Sequence, residues 1–540
     1  MKRIFKISAL FLILVFVGCS DFINTTPLSF TSTTNFYRNA QDAELAITGC
    51  YGLVGSSYAV DYRSGLFLIA DVGTDEILSN PYSIPDAQTN MDQFLYGRVT
   101  KNNLNVRNLW ARMYSGLYAI NTLIQKIDGI DMDANRKSQI IAEAMFLRGW
   151  HYMYLGMVFG GVPVYTTLPQ NVDQGRNTLQ EVLEESIRDF QYAYNNLPGD
   201  KIMNSGYATK WAAAGYLSKT YCYLASCKKY EVGKKLNFPL NSFDWVDVDD
   251  FYKKADTLTA SIIDNSGLKL TSDYRTLFCE GSTEKQKEEN LFSLAPSTQK
   301  KVGFGLMYYL LPAGSFGGGW GTCRPTQELY SRYDTLYDSR ANWVVGGLGM
   351  QSTTEVIDKN TYYKPSKLHL SNGEAYDGDY CSNKFRLLKT DTKHEDFYNG
   401  YYPLLRLAEI YLLRAEAIGH LNGDEAGRAI LKTLRERALN RLRTTDVTKL
   451  QTPYRKADFI KELLDERSRE LCFEQQRKFD LVRFNRYEST IKTISTTYGV
   501  WNRNGAQQLV NNITDTKIWC PIPEEDEIAN PNLKPNNPGY

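Results

Sequence analysis

The chain has 540 residues, 43% of them hydrophobic and 23% charged, which suits a folded body with a sizeable core. That length carries a soft prior of three to four domains at about 150 residues each, and one large body is equally compatible. A net charge of +1 leaves no basic field for nucleic acid and no acidic tail, so nucleic-acid binding is set aside.

The chain opens with a short basic stretch (Lys2, Arg3, Lys6) and an apolar run from Ile7 to Val17. The run is far short of the roughly 20 apolar residues that span a bilayer, so it reads as an export signal over residues 1–18. Phe16-Val17-Gly18 lacks the small residue that an ordinary secretory cut wants at Phe16. A small residue directly before Cys19 suits lipoprotein processing, in which the thiol takes a diacylglycerol and the new amino group a further chain. Each buried methylene adds about 0.8 kcal/mol, and two or more chains anchor stably. The alternative is an ordinary secreted protein whose Cys19 merely falls at the signal's end.

A first helix is expected around DAELAITGCYGLV, followed by a long stretch without helical period, Tyr58 to Asn103. Trp110, Met113, Leu117, Ile120 and Ile124 then fall on one helical face, and IIAEAMFLRGWHYMYLGMVFGG forms the next helix. A further pair covers VLEESIRDFQYAYNNLP and ATKWAAAGYLSKTYCYLA, where Trp211, Ala214, Leu217, Tyr221 and Leu224 keep the spacing. Another helix begins near DDFYKKADTLTASIID. A second long aperiodic stretch runs from about Thr271 to Tyr401. Loops this long are usually functional or disordered, and their Tyr, Phe and Trp content argues against disorder. Beyond it, Leu404, Ala408, Tyr411, Ala415 and Ile418 predict a helix ended by Asn422-Gly423. Asp424 is expected to cap a second helix carrying Ala426, Ile430, Leu434 and Ala438. From Leu404 to Asn440 the unit approaches the roughly 34-residue tetratricopeptide hairpin.

Candidate chemistry is sparse. Eight cysteines follow Cys19 without C-x-x-C or zinc-like spacing. They are expected to be mostly free, with Cys222 and Cys472 in the core. The four histidines (151, 369, 394, 420) form no ligand pair, and His151 reads as a packed helix residue. No metal, cofactor or catalytic residue is expected, because neither a nucleophile elbow nor a phosphate loop is present. DERSRELCFEQQRKFDLVR is rich in carboxylates. Its pairs Glu466–Arg469, Arg467–Glu470, Glu474–Arg477 and Asp480–Arg483 are each three apart, which predicts a structural ladder on a helix surface holding neighbouring loops. The high tyrosine content (37 residues) suits a surface that stacks on sugar rings or peptides.

The sequence resembles the SusD/RagB family of surface lipoproteins. The carrying stretches are Cys19-Ser20-Asp21-Phe22 with Pro27, WARMYSGLYAINTLIQKI with Asn121, and EAMFLRGWHYMYLGMVFGGVP. RLAEIYLLRAEA, DERSRELCFEQQRKFDLVRF and the closing PIPEEDEIANPNLKPNNPGY complete the set. The departures are Phe16 and Lys534-Pro535-Asn536-Asn537, where a glutamine is common. The resemblance implies a mainly α-helical, SusD-like protein of tetratricopeptide-like hairpins (an α–α superhelix) with long irregular loop regions. It implies an N-terminal helical region over 19–230 with the ligand-face loop 58–103, and a C-terminal region over 231–540 with the loop insert at about 271–401. It further implies a lipid-anchored, outward-facing outer-membrane protein that binds an oligosaccharide without turnover and delivers it to a SusC-like TonB-dependent transporter. Peptide capture of the RagB kind and a surface glycoside hydrolase are the rival readings.

The ligand site is expected among loop residues that lack a helical face to bury against. These are the aromatics Tyr82, Tyr309, Phe316 and Trp320, with Arg63, Asp75 and Asn80 as partners for sugar hydroxyls.

Overall fold

The computed structural model describes residues 36–55, 65–79, 88–199, 206–295, 310–311, 321, 323–346, 350–365, 370–371, 374–375, 380–389, 398, 400–496 and 503–540. The helices that position the rest are α1 (Ala40–Gly55), α2 (Leu66–Ala70), α3 (Gln88–Leu95), α4 (Leu104–Lys126), α5 (Ala134–Phe159), α6 (Leu179–Asn196), α7 (Lys210–Lys229) and α8 (Val248–Asn265). They continue as α9 (Leu407–Asn422), α10 (Asp424–Ala438), α11 (Phe459–Leu471), α12 (Arg477–Arg483) and α13 (Arg503–Asn512). The fold is mainly helical, as the residue pattern predicts.

Helix starts are set by side chains that take up otherwise unpaired backbone N–H groups. Asn103 accepts from the N–H groups of Asn105 and Val106 at the start of α4. Thr178 and Glu181 form a reciprocal capping box at the start of α6, and Asp458 caps α11. Consecutive helices pack in sequence, α5 on α6, α6 on α7, α7 on α8, and α9 on α10. Trp110, Met113, Leu117 and Ile120 are buried as their spacing requires, and so are Trp211, Ala214, Leu217, Tyr221 and Leu224. Close approach of α5 and α6 depends on Gly156, where an added Cβ would lie 2.7 Å from Leu183 Cδ2. Buried Arg148 of α5 donates to Asp189 at 2.8 Å and to the Asn121 side chain at 3.0 Å, which gives both residues a structural role.

Three expectations are corrected. Leu404 does not belong to a helix: it sits in a strand, Tyr402–Arg406, and α9 starts at Leu407. Asp424 makes no cap bond, because the cap position is Gly423 at φ 93°, which an L side chain rarely adopts, and Asp424 is the first helical residue. α9 is also buried nearly all round instead of along one stripe, since α8, α10, α11 and α7 all pack on it. The boundary drawn at 230/231 falls between α7 and α8, which pack together, and one apolar core runs from Ala43 to Leu533.

The aperiodic stretches carry short strands: β1 (Ile77–Ser79), β2 (Asn290–Leu294), β3 (Cys323–Pro325), β4 (Val345–Gly346), β5 (Met350–Ile357), β6 (Asn360–Pro365), β7 (Leu370–Ser371), β8 (Glu374–Ala375), β9 (Cys381–Ser382) and β10 (Tyr402–Arg406). They form two-stranded antiparallel pairs: β1–β3, β2–β10, β4–β9, β5–β6 and β7–β8. The eight cysteines beyond Cys19 are free and buried. No helix among the described residues is long and apolar enough to cross a membrane.

Candidate ligand face

The carboxylate-rich stretch 465–483 forms the base on which both loop regions are fastened. α11 ends at Leu471, and Phe473 and Gln475 take positive φ (65° and 63°) before α12 begins. This break turns successive charges toward different parts of the chain. Glu470, fully buried, accepts from Arg406 Nη1 (2.7 Å), from Arg340 Nη1 (2.8 Å) and from Arg437. Glu466 accepts from Arg340 (2.9 Å), Arg435 (2.9 Å) and Arg469 (2.7 Å). Glu474 accepts from Lys384 Nζ (2.6 Å) and Arg406 Nε (2.7 Å).

Burial alone would raise the Glu470 carboxyl, but Arg437, Arg406 and Arg340 outweigh it and hold it well below the ordinary range. The same balance keeps Glu466 ionised, with Arg469, Arg340 and Arg435 supplying the charge. Of the four predicted three-apart pairs, Glu466–Arg469 (2.7 Å) and Asp480–Arg483 (3.0 Å) form. Arg467 turns instead to Asp480 (2.6 Å) and Glu409, and Arg477 to Asp75. The ladder therefore holds loops as expected, but from the interior and not on a helix surface.

The first loop region is pinned to this base by two aspartates. Asp71 accepts the backbone N–H groups of Gln475 (2.9 Å) and Arg477 (3.3 Å). Burial, with the charge of Glu76 beside it, pushes the Asp71 carboxyl up to about 8. Asp75 receives Arg477 through Nε and Nη2, both at 2.7 Å, and also Arg332. At 1% exposure it is a structural anion, and its assignment to ligand hydroxyls is withdrawn. Cys19, Arg63, Asn80, Tyr82, Tyr309, Phe316 and Trp320 lie outside the described residues.

Among the described residues, two strands that border these segments in the sequence pair with each other. β1 pairs with β3 in the register Ile77↔Pro325, Leu78↔Arg324, Ser79↔Cys323. Residue 80 therefore follows one strand of a ribbon whose other strand begins shortly after residue 320. Thr326 reinforces the junction, donating its N–H to Glu76 O (2.9 Å) and its hydroxyl to Asp75 O (2.6 Å). Sequence reasoning missed a third segment at this place. Ser495 N–H donates to Glu328 Oε1 at 2.6 Å, and α13 packs on β1 and α3. The stretch YGVWN, between Ser495 and α13 in the sequence, has the aromatic content that singled out the other two loops, and that was the available signal. The tryptophans assigned to the core are buried: Trp110, Trp150 and Trp211.

Two family models match the chain in tandem. One, described as starch-binding associating with outer membrane, matches residues 74–222, and the other, of the SusD family, matches residues 288–540. SusD-like protein P2 of Formosa agariphila is 25% identical over 100% of both chains. A SusD homolog from Bacteroides thetaiotaomicron superposes with a TM-score of 0.72 at 19% identity, covering 94% of this chain and 98% of its own. A laminarin-binding SusD-like protein superposes at 0.67 and 18% identity, covering 93% and 100%. The tandem family matches, the full-length relative and the shared fold agree with the motif order in the sequence: the chain belongs to the SusD/RagB family.

Proposed function

We propose that this protein captures an oligosaccharide on its loop face, without turning it over, and passes it to a SusC-like TonB-dependent transporter in the outer membrane. The observation that carries the reading is the β1–β3 ribbon: the two long loop regions singled out for their aromatics meet there through paired strands, on a base locked by buried ion pairs. Such a base holds the ends of the paired strands in one arrangement, which lowers the ordering cost of binding. Sugar rings offer apolar C–H faces to aromatic rings, and Tyr82, Phe316 and Trp320 belong to the segments that leave this ribbon. The starch-binding description of the matching family and the laminarin-binding relative support a glycan as the ligand. Cys19 supplies the anchor, with the protein facing outward.

Binding of the pure protein to an array of glycans and peptides tests the ligand. Retention on glycans without release of shorter products supports the proposal; peptide retention or steady hydrolysis overturns it. Replacing Cys19 with alanine should release the protein from membranes with its fold intact, read by fractionation after a high-salt wash. A TonB-dependent barrel should co-purify from native membranes in detergent, and its consistent absence would count against delivery.

A further inference from the structure

A hollow of about 500 Å³ lies between residues 97–102 and the C-terminal turn. Its size is that of a small-molecule site. Arg98, Lys101 and Lys517 line it, against a single acidic side chain, Glu524. Lys101 is committed to Glu527 (3.0 Å) and Glu524 (3.8 Å). Lys517 makes no ion pair among the described residues, the terminal carboxylate included, and its ammonium stands 4.4 Å from the centre of the Tyr540 ring. Arg98, exposed at the rim, likewise makes no side-chain ion pair among the described residues.

A second unpaired lysine adds to this charge. Lys478 of α12 is 7% exposed, rests on the Tyr487 ring at 5.3 Å and has no carboxylate partner among the described residues. Burial depresses the Lys517 ammonium, and the charge of Lys478 depresses it further. The base differs: its fully buried cations Arg340, Arg406 and Arg435 each hold two or more carboxylates. Lys517 is half-buried, and like charges that are even partly desolvated without a counter-ion cost free energy that a bound anion relieves.

We propose that this hollow receives the oxyanion of an acidic sugar residue, a carboxylate or a sulfate ester, on Lys517 and Arg98. The assignment to a sugar rests on the glycan-capture reading above; the assignment to an oxyanion does not. Asn102, which also lines the hollow, is placed to meet hydroxyls. Gly97 packs on Leu509 of α13, the helix that also packs on β1, so the hollow neighbours the loop ribbon.

The test uses the mature protein with its lysines ¹³C-dimethylated, which keeps their charge, and the Lys517 signal identified by its loss in Lys517→Arg. Glucuronate, inorganic sulfate and glucose are titrated at constant ionic strength. Glucuronate or sulfate should shift the Lys517 signal saturably, glucose should not, and the tighter of the two anions identifies the substituent. Lys517→Met, with an unchanged circular dichroism spectrum, should weaken anion binding at least tenfold by calorimetry. A shift that does not saturate with either anion, or unchanged affinity in folded Lys517→Met, overturns the site. Saturable anion binding by a protein that retains no oligosaccharide, neutral or acidic, would leave the oxyanion site standing and remove the glycan reading instead.

Discussion

The core contacts of helices α5 to α8 and the junction at 465–483 both exclude water but are held largely by different forces. Between α5 and α6 the contact is mostly apolar, with Leu179, Val182, Leu183 and Phe190 fully excluded from water around the buried cation Arg148 and its partners Asp189 and Glu185. At the junction it is ionic, with Glu466 and Glu470 each surrounded by three arginines. Apolar packing tolerates many partners of the right volume, whereas a buried carboxylate needs its particular cations at hydrogen-bond distance. The helical pairs thus build a forgiving scaffold, and the junction fixes the residues that border the loops, such as Asp71, Asp75 and Lys384. The molecule places its specificity where the two loop regions meet.

The largest expected effect tests the ionic side. Glu470→Ala takes one buried carboxylate from each of Arg340, Arg406 and Arg437, and breaking such a buried set costs about 3–5 kcal/mol. Urea denaturation should show that loss, or no folded protein at all. The Glu470 carboxyl is held below its ordinary value, so the stability it contributes is present above about pH 4 and fades as pH falls further. In acid the gap between wild type and variant should therefore narrow; a constant gap would mean that Glu470 acts by packing alone.

Leu183→Ala is the matching change on the apolar side. It opens a void beside Gly156 and should cost about 3 kcal/mol, with no dependence on pH or salt. A penalty for this variant that tracked pH would erase the distinction between the two regions.

Asp71→Asn addresses the seam between base and loop with a smaller effect. In the fold the Asp71 carboxyl titrates at about 8, and Glu76 beside it at about 7, both above the ordinary carboxylate range near 4. A raised carboxyl holds its proton in the fold, so its stabilising contribution is full below about pH 4 and is lost as pH rises through 8. Lys384 and the N–H groups of Gln475 and Arg477 face the same group and limit the loss. Urea midpoints at pH 5 and pH 8.5 should differ less in the variant than in wild type. Parallel profiles for the two proteins would show that Asp71 is ionised throughout.

The same contrast explains what could be read in the sequence. Apolar contacts between neighbouring helices repeat every three or four residues, so Trp110, Leu117, Trp211 and Leu217 announced their burial. Leu404 misled because a short apolar run such as YPLLR fits a buried strand and a helix equally well, and only pairing with β2 decides. Within 465–483 the three-apart rule held where the helix continues, at Glu466–Arg469 and Asp480–Arg483. It failed across the turn at Phe473 and Gln475. There Arg477 reaches Asp75, 402 residues away, a partner with no local signal in DVGTDE. The candidate ligand face was legible only as composition, because loop aromatics carry no periodicity that says where they meet.

The smallest expected effect concerns ligand rather than fold, and it separates two tryptophans of one chain. Trp150 is fully buried in α5, donating from its indole to Tyr216 Oη at 3.2 Å, so its loss should unfold the protein before any affinity can be measured. Trp320 follows a run of glycines and lies three residues ahead of β3, the strand that binds the first loop region to the second. Glycines before it in the sequence and an anchored strand after it are the reason to expect an indole that serves the ligand and not the core. One aromatic stacked on a ring is worth on the order of 1–3 kcal/mol, by analogy with base stacking. Trp320→Ala should therefore weaken oligosaccharide affinity about tenfold, the equivalent of about 1.4 kcal/mol, with an unchanged urea midpoint. Calorimetry with a glycan retained on the array reads the first quantity and denaturation the second. Unchanged affinity in a folded variant removes Trp320 from the site, and a lowered midpoint with unchanged affinity assigns its ring to the core beside Trp150.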